Sequence, residues 1–178
     1  MAIKATIFKA ELQVSDLDRN YFAKHSLTIA RHPSETDERM MVRLLAFALN
    51  ADEFLAFGRG ISTEDEADLA VTDLTGAIDA WIDVGLPDER RIRKASGRAN
   101  RVIVYTYGGR AAEMWWNANG SALGRLDNLA VYDLAPEITR TLASRADRNM
   151  AVSCTIQEGH VYLEQDGDTL EIAPHRVK

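Results

Sequence analysis

The sequence has very few residues that could build a covalent or metal-linked scaffold. Cys154 is the one cysteine among 178 residues, which excludes an internal disulfide and a thiolate metal cluster. It lies in an alternating, strand-like run, so we expect a buried and chemically inert thiol. The histidines, His25, His32, His160 and His175, are not spaced as metal ligands. A metal site would therefore have to be built from carboxylate oxygens.

Long apolar runs are also missing. The amino-terminal stretch, residues 1–13, interrupts its apolar residues with Lys4, Lys9 and Glu11, which argues against a signal peptide or a membrane span. We therefore expect a cytoplasmic protein with no membrane partner. The 46% hydrophobic and 27% charged residues are typical of a globular protein. At this length we predict a single domain over residues 1–178.

An excess of positive charge is absent as well. The formal net charge of -6 argues against binding nucleic acid over the whole surface, because that affinity comes mainly from neutralising phosphates. Any phosphate contact must then be local. Residues 64–101 offer such a place, since they begin acidic and end in a basic helix. That order suits a divalent cation held by carboxylates beside cations that meet a phosphate.

Alternating patterns at both ends of the chain predict antiparallel strands. Residues 2–14 and 21–30 flank a run of turn residues and predict a hairpin, with a bulge or a strong bend near Ile7 where the apolar face switches. Residues 150–156, 160–163 and 169–172 predict a closing antiparallel segment.

The middle of the chain alternates strands with helices. We predict a helix that starts near Ser34 and ends near Asn50. A meander of three strands should follow, at residues 53–58, 68–72 and 77–84.

A βαβ unit comes next, followed by two more helices. Its helix runs from Pro87 to about Ala99 and its second strand covers residues 102–105. Another helix begins at Arg110 and is expected to break at Asn119-Gly120. After a strand at residues 129–132, the last helix is predicted from residue 136 to about 145.

Two acidic residues are candidates because of where they lie in these elements. Glu38 shares a helix stripe with Met41 and Leu45, so it should point along the buried face. A carboxylate there needs an arginine partner, a backbone cap or a metal. Asp83 shares its strand face with Trp81 near the end of a core strand, where an unpaired carboxylate would be costly.

Other candidates each have a structural and a functional interpretation. Asp68 is either a ligand or a strand-edge acid that deters pairing, and Asp79 is either a further ligand or the exposed start of its strand. Of Trp115 and Trp116, at most one should be free to stack on a base, because adjacent helix positions diverge by about 100°. One group of cations forms a solvated helix face or a phosphate site: Arg90, Arg91, Arg93, Lys94, Arg98 and Arg101.

Four stretches carry a family resemblance: ATIFKAELQVSDLDRNYF, LTIARHPSETDERMMVRLLAFAL, WIDVGLPDERRIRKA and VYTYGGRAAEMWW. In these the chain closely resembles the YaeQ family of bacterial proteins, over nearly its whole length. The resemblance implies an α/β fold related to the PD-(D/E)XK nucleases. This is a restriction-endonuclease-like mixed sheet flanked by helices, here with additional antiparallel strands from both termini.

The resemblance also implies a site. Such nucleases use a helix glutamate, strand carboxylates and a lysine around Mg²⁺. Matched by position, Glu38 is the helix acid, and Asp68 and Asp83 are the strand acids that would bind the metal. Gly85 stands where the lysine is expected, so Lys94 on the following helix is the candidate replacement. Its ammonium should then lie at ion-pair distance from Asp83 or Asp68.

Two functional classes follow from these observations. The first is a Mg²⁺-dependent nuclease or nucleic-acid processing enzyme with Glu38, Asp68, Asp83 and Lys94 as catalytic residues. The second is a non-catalytic descendant that binds a protein or a nucleic acid in the old cleft, as the missing lysine and the acidic net charge favour. In either class the phosphate-binding candidates form a local basic patch: Arg90, Arg91 and Lys94.

Overall fold

The computed structural model describes residues 4–59 and 65–178. The predictions for residues 2–3 and for the acidic run at 63–64 lie outside these ranges. The elements in chain order are β1 (Thr6–Asp16), β2 (Tyr21–Arg31), α1 (Asp37–Leu49), β3 (Leu55–Phe57), β4 (Leu69–Thr72), β5 (Ile78–Val84), α2 (Glu89–Arg98), β6 (Ala99–Thr106), α3 (Arg110–Leu123), β7 (Leu129–Asp133), α4 (Pro136–Ser144), β8 (Asn149–Gln157), β9 (His160–Gln165), β10 (Asp168–Ile172) and β11 (His175–Arg176).

These elements form a mixed α/β structure with two mixed sheets, which confirms the predicted α/β class. The chain groups into two compact units. The first comprises Met1–Ala51 and Glu137–Pro174, and the second comprises Asp52–Pro136 and His175–Lys178. The single domain predicted from the sequence stays a prediction.

The first unit contains a sheet with the order β10-β9-β8-β1-β2. The predicted hairpin is confirmed, since β1 and β2 are antiparallel in one unbroken register from Thr6 opposite Arg31 to Asp16 opposite Tyr21. The predicted bulge near Ile7 is therefore wrong. Ile7 is 42% exposed while the even-numbered positions from Phe8 onward are buried, so the apolar residue lies on the outer face and no switch occurs.

The antiparallel strands predicted at both ends of the chain are confirmed, and the two groups are joined by a parallel pairing that the sequence did not predict. Strands β8, β9 and β10 are antiparallel as expected, but β1 pairs with β8 in parallel, from Lys9 opposite Asn149 to Asp16 opposite Ile156. Alternation marks each strand and short turns mark hairpins. A parallel pair needs a long crossover, which leaves no local signal in the sequence.

Helix α1 confirms the predicted helix but begins differently. Thr36 is its N-cap, with Oγ1 accepting from the Arg39 backbone N–H at 3.1 Å, whereas Ser34 lies outside the helix. The buried acid of this region is Glu35, which accepts from Arg39 and Arg43. Glu38 is half-buried. The arginine partners that were considered for Glu38 are therefore found at Glu35, three residues earlier.

The second unit contains a sheet with the order β11-β7-β6-β5-β4-β3. Strands β3, β4 and β5 form the predicted antiparallel meander, and β5, α2 and β6 form the predicted βαβ unit. Strand β7 continues the parallel part, and the short β11 pairs with its outer edge. The carboxyl ends of β5, β6 and β7 therefore lie at one edge of the sheet, at Val84, Thr106 and Asp133.

Helix α3 runs straight through the predicted break at Asn119-Gly120 and ends at Leu123. A Cβ atom on Gly120 would lie 2.9 Å from Cε2 of Trp116, so the glycine lets the indole pack directly on the helix. Asn119 Nδ2 also donates to the Trp115 carbonyl at 2.9 Å, a bond that stays within the helix. Both residues are typical helix breakers in sequence but serve packing here.

Two further predictions concern single features. Within residues 4–59 and 65–178, no helix is both long and apolar enough to cross a membrane. Cys154 is buried on β8, and this burial, together with the charge of Asp16, raises the pKa of its thiol to about 12. The predicted burial of Cys154 is therefore confirmed, and the raised pKa disfavours the thiolate, which is the reactive form.

Candidate functional site

Asp83 near the end of β5 is a buried carboxylate held by an arginine. Its side chain is 1% exposed, and Arg91 on α2 donates from Nε to Oδ2 at 2.7 Å and from Nη2 to Oδ1 at 2.9 Å. Arg91 Nη2 also donates to the Glu66 carbonyl at 2.7 Å. Such a two-pronged contact fits the planar guanidinium and is the strong form of the ion pair. The Asp83–Arg91 pair thus fastens α2 to the end of β5.

Asp68 lies beside Asp83, as the sequence predicted. The Asp68 backbone N–H donates to Asp83 Oδ1 at 3.1 Å, and Asp68 Oδ2 accepts from the Val84 backbone N–H at 2.9 Å. Each carboxylate therefore satisfies the other strand's backbone where β4 begins and β5 ends. Glu38 belongs to the first unit. The nuclease-like site that the resemblance implies, with Glu38 as the helix acid beside Asp68 and Asp83, stays a prediction, as do the catalytic roles.

Lys94 does not take the position expected of it. Its ammonium pairs with Asp65, and both side chains are well exposed. The cation on Asp83 is Arg91, three residues earlier on α2. Arg91 lies 5.5 Å from the ring centre of the buried Trp81, so it is on the side of the helix that packs on the sheet. The hydrogen bond and the charge of Lys94 hold the pKa of Asp65 below its usual value.

The predicted Mg²⁺ ligands do not fit a metal in this arrangement. Both oxygens of Asp83 accept from Arg91, and one also accepts from the Asp68 backbone N–H. A cation would have to displace the guanidinium from a buried carboxylate. Elsewhere in the described ranges, no three His, Cys, Asp or Glu side chains are grouped as metal ligands.

The predicted phosphate-binding residues do come together. A cavity of about 660 Å³, here called the basic cavity, is lined by Asp65, Asp88, Arg90, Arg91 and Lys94. Asp88 is the N-cap of α2 and accepts from the Arg90 backbone N–H at 2.8 Å. The Arg90 side chain is exposed and has no partner among the described residues.

The remaining cations of this region have structural partners. Arg93 pairs with Glu89 on the same helix, and Arg98 lies 5.5 Å from the ring centre of Trp81. Arg101 lies 3.5 Å from Asp79, which agrees with the interpretation of Asp79 as the exposed start of its strand. Of the six cations grouped in the sequence, only Arg90, Arg91 and Lys94 line the basic cavity.

A second cavity, which the sequence did not predict, lies at the carboxyl ends of β6 and β7. This aromatic cavity has a volume of about 500 Å³, and its lining includes Trp115, Trp116, Thr106, Asp133 and His175. Both tryptophans are half-buried and pack against the hydrophobic core of this unit, so the expectation that at most one of them is free to stack on a base stays a prediction. The available signal was Asp133, an acid at the end of an apolar strand, in the place where parallel sheets bind ligands.

A groove shares lining residues with each of the two cavities. It has a volume of about 480 Å³ and is lined by residues 86–90 with Trp115 and Asn119. Asp88 and Arg90 border both the groove and the basic cavity, and Trp115 borders both the groove and the aromatic cavity. Trp115 is fixed there because its Nε1 donates to the Pro87 carbonyl at 2.9 Å. The groove is thus bordered by residues of both cavities.

Fold and site together define a mixed α/β protein with an arginine-locked carboxylate pair beside a basic cavity. Residues 1–174 match the family model described as YaeQ protein. The chain is 49% identical over 172 residues to Uncharacterized protein YaeQ of Escherichia coli K12, covering 97% of this chain and 95% of the relative. The Salmonella typhi protein of the same name is 48% identical with the same coverage. The chain belongs to the YaeQ family.

Solved structures agree with this assignment. The crystal structure of YaeQ protein from Xanthomonas axonopodis pv. citri is similar with a TM-score of 0.94 and 50% identity, covering 98% of each chain. That of YaeQ protein from Pseudomonas syringae has a TM-score of 0.93 at 36% identity, covering 98% of this chain and 96% of that one. The fold is thus shared at both levels of identity.

Proposed function

We propose that this chain binds nucleic acid through backbone phosphates in the basic cavity and does not cleave it. The observation that carries the proposal is the state of Asp83. Its buried carboxylate accepts a bidentate pair of hydrogen bonds from Arg91 and a third from the Asp68 backbone N–H, so it has no oxygen without a donor. A carboxylate that is paired in this way stabilises the fold. The nearby cations that do not pair with Asp83 can then bind a ligand.

Two of those cations are suited to phosphate. Arg90 is exposed without a partner among the described residues, and Lys94 is held by an exposed ion pair with Asp65. Exposed pairs contribute little to stability, so a phosphate can replace Asp65 on Lys94 at small cost. Arg91 adds its charge, although its Nε and Nη2 groups already donate to Asp83 and Glu66. Phosphate contacts of this kind give affinity without reading sequence.

The restriction-endonuclease-like fold belongs to the same proposal. The chain order α1, β3, β4, β5, α2, β6, with β3, β4 and β5 antiparallel and β5 parallel to β6, supports it. Gly85 stands where nucleases of this fold have a lysine, which supports a site that no longer cleaves phosphodiesters. Fold alone does not fix function. Oligonucleotide binding and cleavage therefore have to be measured to distinguish a binding protein from a nuclease.

Reversing the charge of either available cation should weaken binding to a fluorescent single-stranded oligonucleotide. We expect Arg90→Glu and Lys94→Glu each to reduce affinity by about 10-fold at low salt, because each removes one interaction with a phosphate. The slope of log Kd against log salt concentration should fall by about one in each variant, since one phosphate fewer is neutralised. Fluorescence anisotropy across a salt series measures both quantities.

Matched variants separate this site from the general effect of charge. Arg125→Glu makes the same charge change at an exposed residue of the same unit that does not line the basic cavity, and it should leave the affinity nearly unchanged. Asp65→Asn frees Lys94 and should tighten binding, whereas the exposed Asp127→Asn should not. Equal losses in all three charge reversals would contradict the proposal. No binding to any oligonucleotide would also contradict it and would favour a protein partner.

A Mg²⁺-dependent nuclease is the second candidate. The observation that favours it is the adjacency of Asp68 and Asp83, joined by hydrogen bonds beside a cavity lined by three cations. In this candidate Glu38 is the helix acid and Lys94 replaces the missing lysine. It requires Arg91 to leave Asp83, because the carboxylate is otherwise satisfied.

Cleavage assays separate the two candidates. Single- and double-stranded DNA and RNA are incubated with Mg²⁺ or Mn²⁺ and with the wild type, Lys94→Ala or Asp83→Asn. We expect no cleavage above background in any of them, since Asp83 is closed. Wild-type cleavage that falls about 10²-fold or more in both variants would establish the nuclease instead. Equal cleavage by all three would indicate a contaminant.

A further inference from the structure

We propose that the aromatic cavity binds a single nucleobase, and that guanine fits it best. The cavity combines aromatic and apolar side chains with polar ones, as small-molecule sites do. Its apolar lining is Ala112, Trp115, Trp116, Val131 and Val177, and its polar lining is Thr106, Arg110, Glu113, Asn117, Asp133 and His175. Its volume of about 500 Å³ leaves ample room for a purine ring. The inference deepens the proposed function, because a strand whose phosphates lie on α2 would bring its bases along the groove.

Trp116 supplies a stacking surface. It is half-buried and packs on Gly120, where even a methyl group would meet the indole at 2.9 Å. Trp115 stands 6.2 Å away between ring centres, tilted by 39°, and is held by its bond to Pro87. Val131 and Val177 also line the cavity and are apolar. Base stacking on such aromatic rings tolerates any base and contributes strongly to binding.

Asp133 supplies the selective group. Thr106 Oγ1 donates to its Oδ1 at 2.7 Å, while no residue in the described ranges donates to its Oδ2. The side chain is half-buried at the end of β7, directly opposite His175 on β11. An ionised carboxylate only accepts hydrogen bonds, so it selects a ring edge that carries donors. Guanine offers two adjacent donors there, a ring N–H and an amino group.

The lining residues that the groove shares with each cavity favour a strand over a free base as the ligand. Arg90 borders the basic cavity and the groove, and Trp115 borders the groove and the aromatic cavity. A single strand can place a phosphate against Arg90 and Lys94 and an unpaired base against Trp116. Duplex DNA keeps its bases stacked inside and cannot do so without flipping one out.

Titration of the purified chain with guanosine, adenosine and uridine tests the base site by itself. Tryptophan fluorescence reports binding, because two of the three tryptophans line the cavity. We expect guanosine to bind most tightly. Asp133→Asn should weaken guanosine about 10-fold and uridine little, while Trp116→Ala should weaken all three and Trp116→Phe should restore them. Asp127→Asn is the control for charge, and thermal unfolding confirms that each variant is folded.

A guanine-containing single-stranded oligonucleotide tests the link to the proposed function. Loss of its binding in Asp133→Asn and Trp116→Ala as well as in Lys94→Glu supports a strand that spans both cavities. Binding that falls in Lys94→Glu but is unchanged in the two aromatic-cavity variants would overturn the base site and leave the phosphate proposal standing. Guanosine binding without oligonucleotide binding would support the base site for a free nucleoside and overturn the phosphate proposal. No response to any nucleoside or oligonucleotide would overturn both.

Discussion

Replacing Arg91 by alanine should destabilise the second unit by about 3 kcal/mol, because it leaves the buried carboxylate of Asp83 without its cation. The Asp83 side chain is 1% exposed and that of Arg91 is 23% exposed. The cost of breaking a buried pair is the cost of the charge left behind. Urea unfolding followed by tryptophan fluorescence measures this change, since Trp81, Trp115 and Trp116 all belong to that unit.

A neighbouring ion pair on the same helix provides the control. Arg93→Ala removes an exposed partner of Glu89 and should change the free energy of unfolding by less than about 0.5 kcal/mol. Adding Asp83→Asn to Arg91→Ala should recover part of the loss, because a neutral amide is cheaper to bury and still accepts from the Asp68 N–H. A loss at Arg91 no larger than that at Arg93 would contradict the locked pair.

The same variant bears on function. If Arg91 chiefly supports the fold, oligonucleotide binding by Arg91→Ala under conditions where it remains folded should fall less than binding by Lys94→Glu. The sequence grouped Arg91 with Arg90 and Lys94 as one basic patch. The structure divides the group, with Arg91 directed at Asp83 and Lys94 at Asp65. The proposed ligand cations are thus Lys94, whose partner Asp65 is exposed, and Arg90, whose side chain has no partner among residues 4–59 and 65–178.

The sequence predicted most elements because local patterns determine them. Alternation predicted the β1–β2 hairpin, apolar spacing predicted α1, and the short turns predicted the meander of β3, β4 and β5. The parallel pairing of β1 with β8 could not be predicted in this way, since its partners lie about 140 residues apart and no turn connects them. The helix break predicted at Gly120 was wrong because this glycine makes room for Trp116, a packing contact that the local pattern does not reveal.

The candidate site shows the same limit. Proximity of Asp68 and Asp83 followed from neighbouring strands, which sequence order predicts. Arg91 and Lys94 lie within one turn of α2, so spacing in the sequence does not distinguish them as partners of Asp83. Arg91 is the partner because it lies on the side of α2 that packs against Trp81. The aromatic cavity needed side chains from three separate segments, including the two-residue β11. Such convergence is a property of the folded chain.

Replacing Glu35 by alanine should destabilise the first unit by about 4 kcal/mol, because it leaves a buried arginine without its carboxylate. Arg43 donates to Glu35 from Nη2 at 2.6 Å and from Nε at 2.9 Å, and the two side chains are 4% and 1% exposed. Arg39 adds a third contact at 2.6 Å. The bond from Arg43 to the Ala30 carbonyl, at 3.0 Å, would remain but cannot neutralise the charge.

Far-UV circular dichroism during urea unfolding should be used to measure this loss, because the three tryptophans report on the other unit. Glu11→Ala removes an exposed carboxylate bonded to Ser26 on β2 and should stay within about 0.5 kcal/mol of the wild type. The paired change Glu35→Leu with Arg43→Met removes both buried charges at similar volume, so it should cost less than Glu35→Ala alone. If the double variant were less stable than the single one, the hydrogen bonds of the pair would outweigh the burial of its charges, contrary to this prediction.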